Sequence, residues 1–339
     1  MRSLSRADPP TGVGVIGGIG GIGGISIIVP SLGQSPWQEE VLAALRRELV
    51  TRDAELLWVL QGEARSPHFV GRREHLVRLP QPVGFASAAN VGLAAADPRS
   101  ESVAIVNDDV VLEPGWLAAL AGELTLRPRA AAVQGIQLEL DRPGIVEGCG
   151  LGWNRSWQAV QVRAGESPPA PTAPPFEVFG VSATAALYRR EALTEVATTG
   201  ASFFAERLGS YYEDVELAVR LREAEWESWC VPAARARHAG QATTGRIPLR
   251  RWRWIYRNRL LVVRRLLGGQ FAANLPRLAL RDGKDLLLAC GHLDGARAAG
   301  IVSGWSTAVP RLLDFAPPSA AARERALTAA ERFRIGSTA

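Results

Sequence analysis

Three places in this chain hold side chains able to do metal or acid chemistry. Asn107-Asp108-Asp109 stops an apolar run, Val103 to Val106. Burying an unpaired carboxylate is costly or forces it to neutralise, so a strand ending on two acids is expected to deliver them to a crevice. Clustered acids at such a strand end suit a hard divalent cation bound to a phosphorylated ligand. A plain acidic turn would read the same way. Glu213-Asp214 opens a second stretch, in which Leu217, Leu221 and Ala224 repeat at helical spacing. Acids in a first helical turn are favoured by the helix dipole, which explains this pair when it is taken alone. His238 follows a stretch that reads as a strand, Trp226 to Val231, and adds an imidazole that could converge with both acidic clusters.

The elements that must position these groups alternate between strand and helix. Ile25 to Val29 is short and β-branched and predicts a buried first strand ending at Pro30. Trp37, Val41, Leu45 and Leu49 recur at helical spacing, Ala54 to Leu60 reads as a second strand, and His75 to Pro80 as a third. Gly84 to Leu93, rich in small residues, reads as a helix start packed tightly on a sheet, with free N–H groups facing anything anionic nearby. Pro114 suits a first helical residue, with Leu117, Leu120 and Leu124 as the apolar stripe behind it. Ala131 to Leu140 predicts another strand, followed by a glycine- and tryptophan-rich stretch from Glu147 and a proline-rich loop, Arg163 to Pro175. The alternation predicts an α/β fold, a mostly parallel sheet with helices on its faces.

Composition bounds the class. The 339 residues are 47% hydrophobic and 22% charged, which excludes a disordered or fibrous chain. The net charge of +5 is unevenly placed, because Arg246 to Arg265 is arginine-rich and contains no acid. Cys149, Cys230 and Cys290 are too scattered for a disulfide framework or a zinc site and point to a reducing compartment. The N-terminus contains a literal GxGxxG at Gly12, Gly14 and Gly17. That pattern binds dinucleotides only between a strand and a helix, whereas here polar residues precede it and more glycine follows, so residues 1–24 read as a flexible leader.

Assembled in order, IIVPS (27–31), GFASAANVGL (84–93), VNDDVVLEPGWL (106–117), FGVSATAALYRREAL (179–193), YYEDVELAVRLREAEW (211–226) and the later His238 resemble a family 2 inverting glycosyltransferase of the GT-A fold, nearest its rhamnosyltransferase-like group. The resemblance covers roughly residues 25–245. It implies a Rossmann-like, mostly parallel sheet flanked by helices and a C-terminal helical extension over 246–339. It implies that Asp109, as the last acid of a DxD-type motif, and His238 hold Mg²⁺ or Mn²⁺. It also implies that Asp214 is the general base with Glu213 beside the acceptor, and that Pro30, Ser31, Gln61, Gly84, Asn90, Asn107 and Asp108 border the donor. The implied partners are a nucleotide-sugar donor, such as dTDP-rhamnose or a UDP-sugar, and a polysaccharide or polyprenyl-linked glycan acceptor. The implied location is cytoplasmic, peripheral on the inner face of the plasma membrane.

Two departures from the family pattern concern the donor. The usual VPTYN is replaced by Val29-Pro30-Ser31-Leu32-Gly33, and the base-reading Asp after strand two is replaced by Leu60, so that either other groups such as Gln61 read the base or the nucleotide preference differs. A catalytically degenerate sugar-nucleotide-binding protein therefore stays open as an alternative. In the tail, Pro248 to Gly269 interleaves arginines with Trp252, Trp254 and Tyr256. That pattern fits an interfacial membrane helix, a basic helix packed on the catalytic domain, or a scaffold binding membrane or nucleic acid. Nucleic acid is not expected, since no binding module accompanies the patch.

Overall fold

A computed structural model describes residues 14–16, 24–51, 53–198, 202–240, 248–315 and 319–336. The elements, in chain order, are β1 (Gly14–Ile16), β2 (Gly24–Ser31), α1 (Gln38–Thr51), β3 (Ala54–Gln61), β4 (Glu74–Leu79), α2 (Phe85–Ala95), β5 (Ser100–Val106), β6 (Val110–Leu112), α3 (Trp116–Leu126), β7 (Ala130–Glu139), β8 (Val146–Gly148), β9 (Leu151–Trp153), β10 (Ala159–Gln161), β11 (Phe176–Val178), β12 (Ala185–Arg189), α4 (Arg190–Glu195), α5 (Glu213–Glu223), β13 (Glu227–His238), α6 (Pro248–Leu267), α7 (Phe271–Gly291), α8 (Gly295–Ala308) and α9 (Ala320–Arg332).

The main sheet runs β1-β4-β3-β2-β5-β12-β7-β13-β11, with β6 on β13 and β8 on β7. Strands β4, β3, β2 and β5 are parallel, as are β7 and β13, while β12 is antiparallel between β5 and β7. The chain winds outward from β2 through β3 to β4, then crosses to β5 on the other side of β2. The order therefore reverses between β2 and β5, and open α/β sheets bind ligands at the strand ends beside such a reversal.

The period of two along each strand sorts the core into two layers. Ile27 and Val29 share a cluster with Leu56, Trp58 and Leu60, covered by Val41 and Leu45 of α1 and Leu117 and Leu120 of α3. Ile28, Leu57 and Val59 face the other way, under Ala89 and Leu93 of α2 and Leu217 and Leu221 of α5. Helix α2 lies so close that a Cβ on Gly92 would run into Ile28 Cγ2 and stand 2.9 Å from Val59 Cγ2. Both are β-branched methyls that cannot swing aside. Gly92→Ala gains about 1 kcal/mol of helix propensity, but overpacking costs about 1–3 kcal/mol. The expected net result is a lower thermal unfolding midpoint.

Three local expectations need correction. Gly14–Ile16 is an edge strand paired antiparallel with Leu76 to Arg78 of β4, because an open edge offers unpaired backbone groups to any extended neighbour; the rest of the leader before Gly24 lies outside the described residues. Helix α3 starts at Trp116 rather than Pro114: Gly115 adopts φ 83°, and Glu48 of α1 accepts from the N–H groups of Gly115 and Leu117. Strand β13 does not stop at Val231. Its register against β7 shifts between Val231 and Arg235, where Pro232 interrupts the ladder, and it resumes to end on His238.

The basic C-terminal segment packs back onto this core. Leu260, Leu261, Val263 and Leu267 of α6 share a cluster with Val215, Ala218 and Val219 of α5 and with Ala326 and Leu327 of α9. Trp153 exchanges backbone hydrogen bonds with Phe333 and Ile335. Among the described residues, no helix is long and apolar enough to cross a membrane.

Candidate active site

Strand β5 delivers its acids as the apolar run predicts. The Asn107 N–H donates to the Thr184 carbonyl at 2.9 Å, and the chain turns through Asp108 and Asp109 into β6. Across the reversal between β2 and β5, Ser31 Oγ donates to Asp108 Oδ2 at 2.5 Å and accepts from the Gly33 N–H at 2.9 Å. Burial pushes the Asp108 carboxyl up to about 6; the Ser31 hydrogen bond opposes this and the neighbouring Asp109 reinforces it. Asn107 Oδ1 is buried with no hydrogen-bond partner among the described residues.

His238 reaches the same turn because β13 pairs with β6, placing His238 opposite Val110. Its Nε2 is 3.2 Å from Asp109 Oδ1, and its Nδ1 is 2.7 Å and 2.8 Å from the two oxygens of Glu147. Burial disfavours the charged ring, but the hydrogen bonds to Asp109 and Glu147 outweigh it and raise the pKa to about 10. A carboxylate on one ring nitrogen fixes the orientation of the other, as it does for many metal-ligating histidines. No group of three His, Cys, Asp or Glu able to hold a metal ion is found among the described residues. Asp109 suits a cation that takes one or two protein ligands and completes its shell with phosphate and water, the orphaned Asn107 Oδ1 adds polar capacity, and His238 joins as a ligand only once the cation displaces the proton from its Nε2.

The second acidic pair sits where α5 begins. Tyr211 and Tyr212 both adopt φ 68°, a tight entry that sets Glu213 and Asp214 in the first turn. Asp214 Oδ1 accepts from the Val215 N–H at 2.8 Å and Oδ2 from the Ala183 N–H at 3.3 Å. Ala183 is the residue before Thr184, whose carbonyl holds Asn107. Two adjacent residues of the turn before β12 therefore link the start of α5 to the Asp108–Asp109 turn. Burial raises both acids of the pair, and the Asp214 charge pushes Glu213 further, well above the usual carboxylate range. The N–H groups of Val215 and Ala183, together with Ser182, favour the charged form of Asp214, so Asp214 ionises before Glu213. Both pKa values lie above those of an unfolded chain, so the stability this pair contributes is full at acidic pH and is lost as pH rises through the folded values.

Helix α6 braces this entry. Asn258 Nδ2 donates to the carbonyls of Leu208, Ser210 and Tyr211 at 2.7–3.0 Å, and Arg257 Nη2 donates to Leu208 at 2.7 Å. The sequence left open whether this basic helix lies on a membrane or on the protein. From Trp254 to Leu267 it is mostly buried in the protein, and its exposed residues are confined to Pro248, Leu249 and Arg250 in the first turn.

The remaining residues expected at the donor have structural partners. Asn90 donates to the Phe204 carbonyl and Glu206 and accepts from the N–H groups of Phe203 and Phe204, so its amide ties α2 to that segment. Gln61 Oε1 accepts from the Val83 N–H. Gly84 adopts φ 92°, and a Cβ there would press on Gly209. The N–H groups expected to be free at the α2 start are taken: Ala86 donates to the Gly209 carbonyl and Phe85 to Ser210 Oγ. Pro30 lies within β2, opposite Val59, beyond the last residue of β2 paired with β5, Ile28. Leu60 is wholly buried in the core. A cleft of about 420 Å³ opens at the carboxyl ends of β3 and β4, between Gly62–Arg65 and Arg78–Pro80.

Sequence reasoning missed Glu147, the Ser182–Thr184 link and Asn258. Glu147 opens the glycine-rich stretch with nothing beside it to mark a partner 91 residues away. Asn258 alone carried a signal, as an uncharged polar residue inside a basic and apolar helix.

A doubly wound α/β sheet with carboxylates at its reversal defines an open α/β protein whose ligand crevice lies at the strand ends. The family model described as glycosyltransferase like family 2 matches residues 24–257, and the chain belongs to that family. The architecture is GT-A with C-terminal helices added. Solved structures with similar folds include GalNAc-T7 with UDP, GalNAc and Mn²⁺, at 12% identity over 63% of this chain and 43% of that one, with a TM-score of 0.49. They also include a mycobacterial protein, at 16% identity over 72% and 74% with a TM-score of 0.44, and the catalytic domain of Drosophila β1,4-galactosyltransferase 7 in complex with xylobiose, at 14% identity over 62% and 65% with a TM-score of 0.36. The chain thus spans less than half the length of the GalNAc-T7 chain. No curated protein matches it.

Proposed function

We propose that this chain is an inverting, divalent-cation-dependent glycosyltransferase that moves a sugar from a nucleoside-diphosphate donor to a polysaccharide or lipid-linked glycan. The observation that carries the proposal is the convergence of Asp109 with His238 and, through Ala183 and Thr184, the nearness of Asp214 to that turn.

In this scheme the donor diphosphate lies at the ends of β2 and β5. Asp109 and His238 hold the cation there, Ser31 and Asp108 border the ribose or sugar, and the base lies in the cleft beside Arg65 and Arg78. Gln61, Gly84 and Asn90 act by shaping the walls. A bound divalent cation neutralises the charge that develops on the departing diphosphate. Asp214 accepts the proton from the acceptor hydroxyl as that oxygen attacks the anomeric carbon opposite the leaving group, which inverts the configuration. Glu213 lies beside it toward the acceptor, its Oε2 buried with no hydrogen-bond partner among the described residues. We take dTDP-rhamnose and UDP-sugars as the first donors to test.

Activity is expected to fall on the acid side through an apparent pKa above the ordinary aspartate value near 3.9, because Asp214 must be ionised. Glu213→Gln is expected to leave that limb in place, since the limb belongs to Asp214, while burial and the Asp214 charge raise Glu213 well above the usual carboxylate range. A limb that disappears in Glu213→Gln would assign the base to Glu213.

The direct test is a panel of sugar nucleotides scored for thermal stabilisation with and without Mn²⁺, followed by donor hydrolysis or transfer assays. A donor that stabilises the protein yet is never turned over would make this a degenerate sugar-nucleotide binder, a reading favoured by the buried Leu60.

A further inference from the structure

We propose that the outer face of α7 is a docking surface for an anionic lipid membrane. Both acids of this helix turn inward. Asp282 accepts from Arg259 at 2.6 Å and from Trp305 at 2.8 Å, and Asp285 accepts from Tyr256 at 3.0 Å. The opposite face carries Arg277, Leu280, Lys284, Leu287 and Leu288, spaced by three, four and seven residues and therefore on one stripe. Leu280 is 77% exposed and Leu287 75%, and Leu293, in the turn just beyond the helix, is 92% exposed.

The charge pattern selects the occupant. A stripe with leucines, two cations and no acid meets phosphate headgroups with its charges while its leucines enter the acyl boundary. A second copy of the chain would set Arg277 and Lys284 against the same cations across a two-fold axis, with no acid on the stripe to offset them. The surface is separate from α6, whose apolar residues from Trp254 to Leu267 are mostly used inside the protein. It is also independent of the sugar-transfer proposal.

Lys284 is the chain's single lysine and provides a reporter. The full-length protein is expected to sediment with vesicles of phosphatidylcholine and phosphatidylglycerol in equal parts, less with phosphatidylcholine alone, and less as salt rises. Binding is expected to protect Lys284 from an amine-reactive reagent, read by peptide mapping in the unaltered protein. The double substitution Leu280→Asp with Leu287→Asp is expected to weaken vesicle binding by about tenfold or more, since each side chain is exposed and buries no partner. Lys284 modified at the same rate with and without anionic vesicles would overturn the proposal. So would vesicle binding unchanged by the double substitution, or self-association abolished by it in a protein that ignores vesicles.

Discussion

Asp214→Asn is expected to keep donor binding and lose transfer. The asparagine has nearly the shape of the aspartate and can still accept one of the two backbone N–H groups, from Val215 or Ala183, that the carboxylate accepts. Losing the other is expected to cost about 1 kcal/mol, offset by removing a charge that burial opposes. The fold and the donor side should therefore survive. The amide cannot take a proton from the acceptor, and losing a general base slows such a step by about 10²- to 10⁴-fold. The measurement is kcat for transfer beside donor-induced thermal stabilisation in the same variant. Transfer at the unaltered rate would remove Asp214 from the mechanism.

Asp109→Ala is expected to act at the other end of the site. His238 keeps Glu147 on Nδ1, so the ring stays in place and only the carboxylate facing Nε2 is lost. A cation with one or two protein ligands cannot be held by one imidazole in competition with water. A ligand present at a hundred times its Kd stabilises a protein by about 2.7 kcal/mol, and the Mn²⁺-dependent part of the donor's stabilisation should vanish in this variant. Thermal unfolding with donor, with and without Mn²⁺, reads that difference. Stabilisation that persists and still depends on Mn²⁺ would place the cation elsewhere. With Asp214→Asn, this separates the two halves of the proposal, since one variant retains the donor and the other retains the base.

Much of the catalytic core was legible in the residues because its signals are local. The β-branched run before Pro30, the apolar run before Asp108 and the helical spacing behind Asp214 each depend on burial of a nearby face, and each element formed within a few residues of its expected place. Gly92 shows the limit of such signals. Its need to be small is set by Ile28 and Val59 across the layer, and a list of small residues does not reveal which one is pressed. Asn90 and Gln61 lay in the expected segments, yet their hydrogen bonds go to backbone groups of Phe203, Phe204 and Val83. Residue type does not determine whether an amide faces a ligand or a neighbouring loop. For the tail, composition left a packed helix and a membrane helix equally open, because aromatic and arginine side chains satisfy either environment.

Taken by itself, the order of residues determined where acids interrupt apolar runs, and so which side chains could do chemistry and which elements would carry them. Only the tertiary structure decided which of them meet. Strand pairing brings together residues far apart in the chain, so Asp109, His238 and Glu147 become neighbours through the antiparallel pairing of β13 with β6 and of β8 with β7. That pairing is set by the packing of both layers at once, and no stretch of sequence contains it.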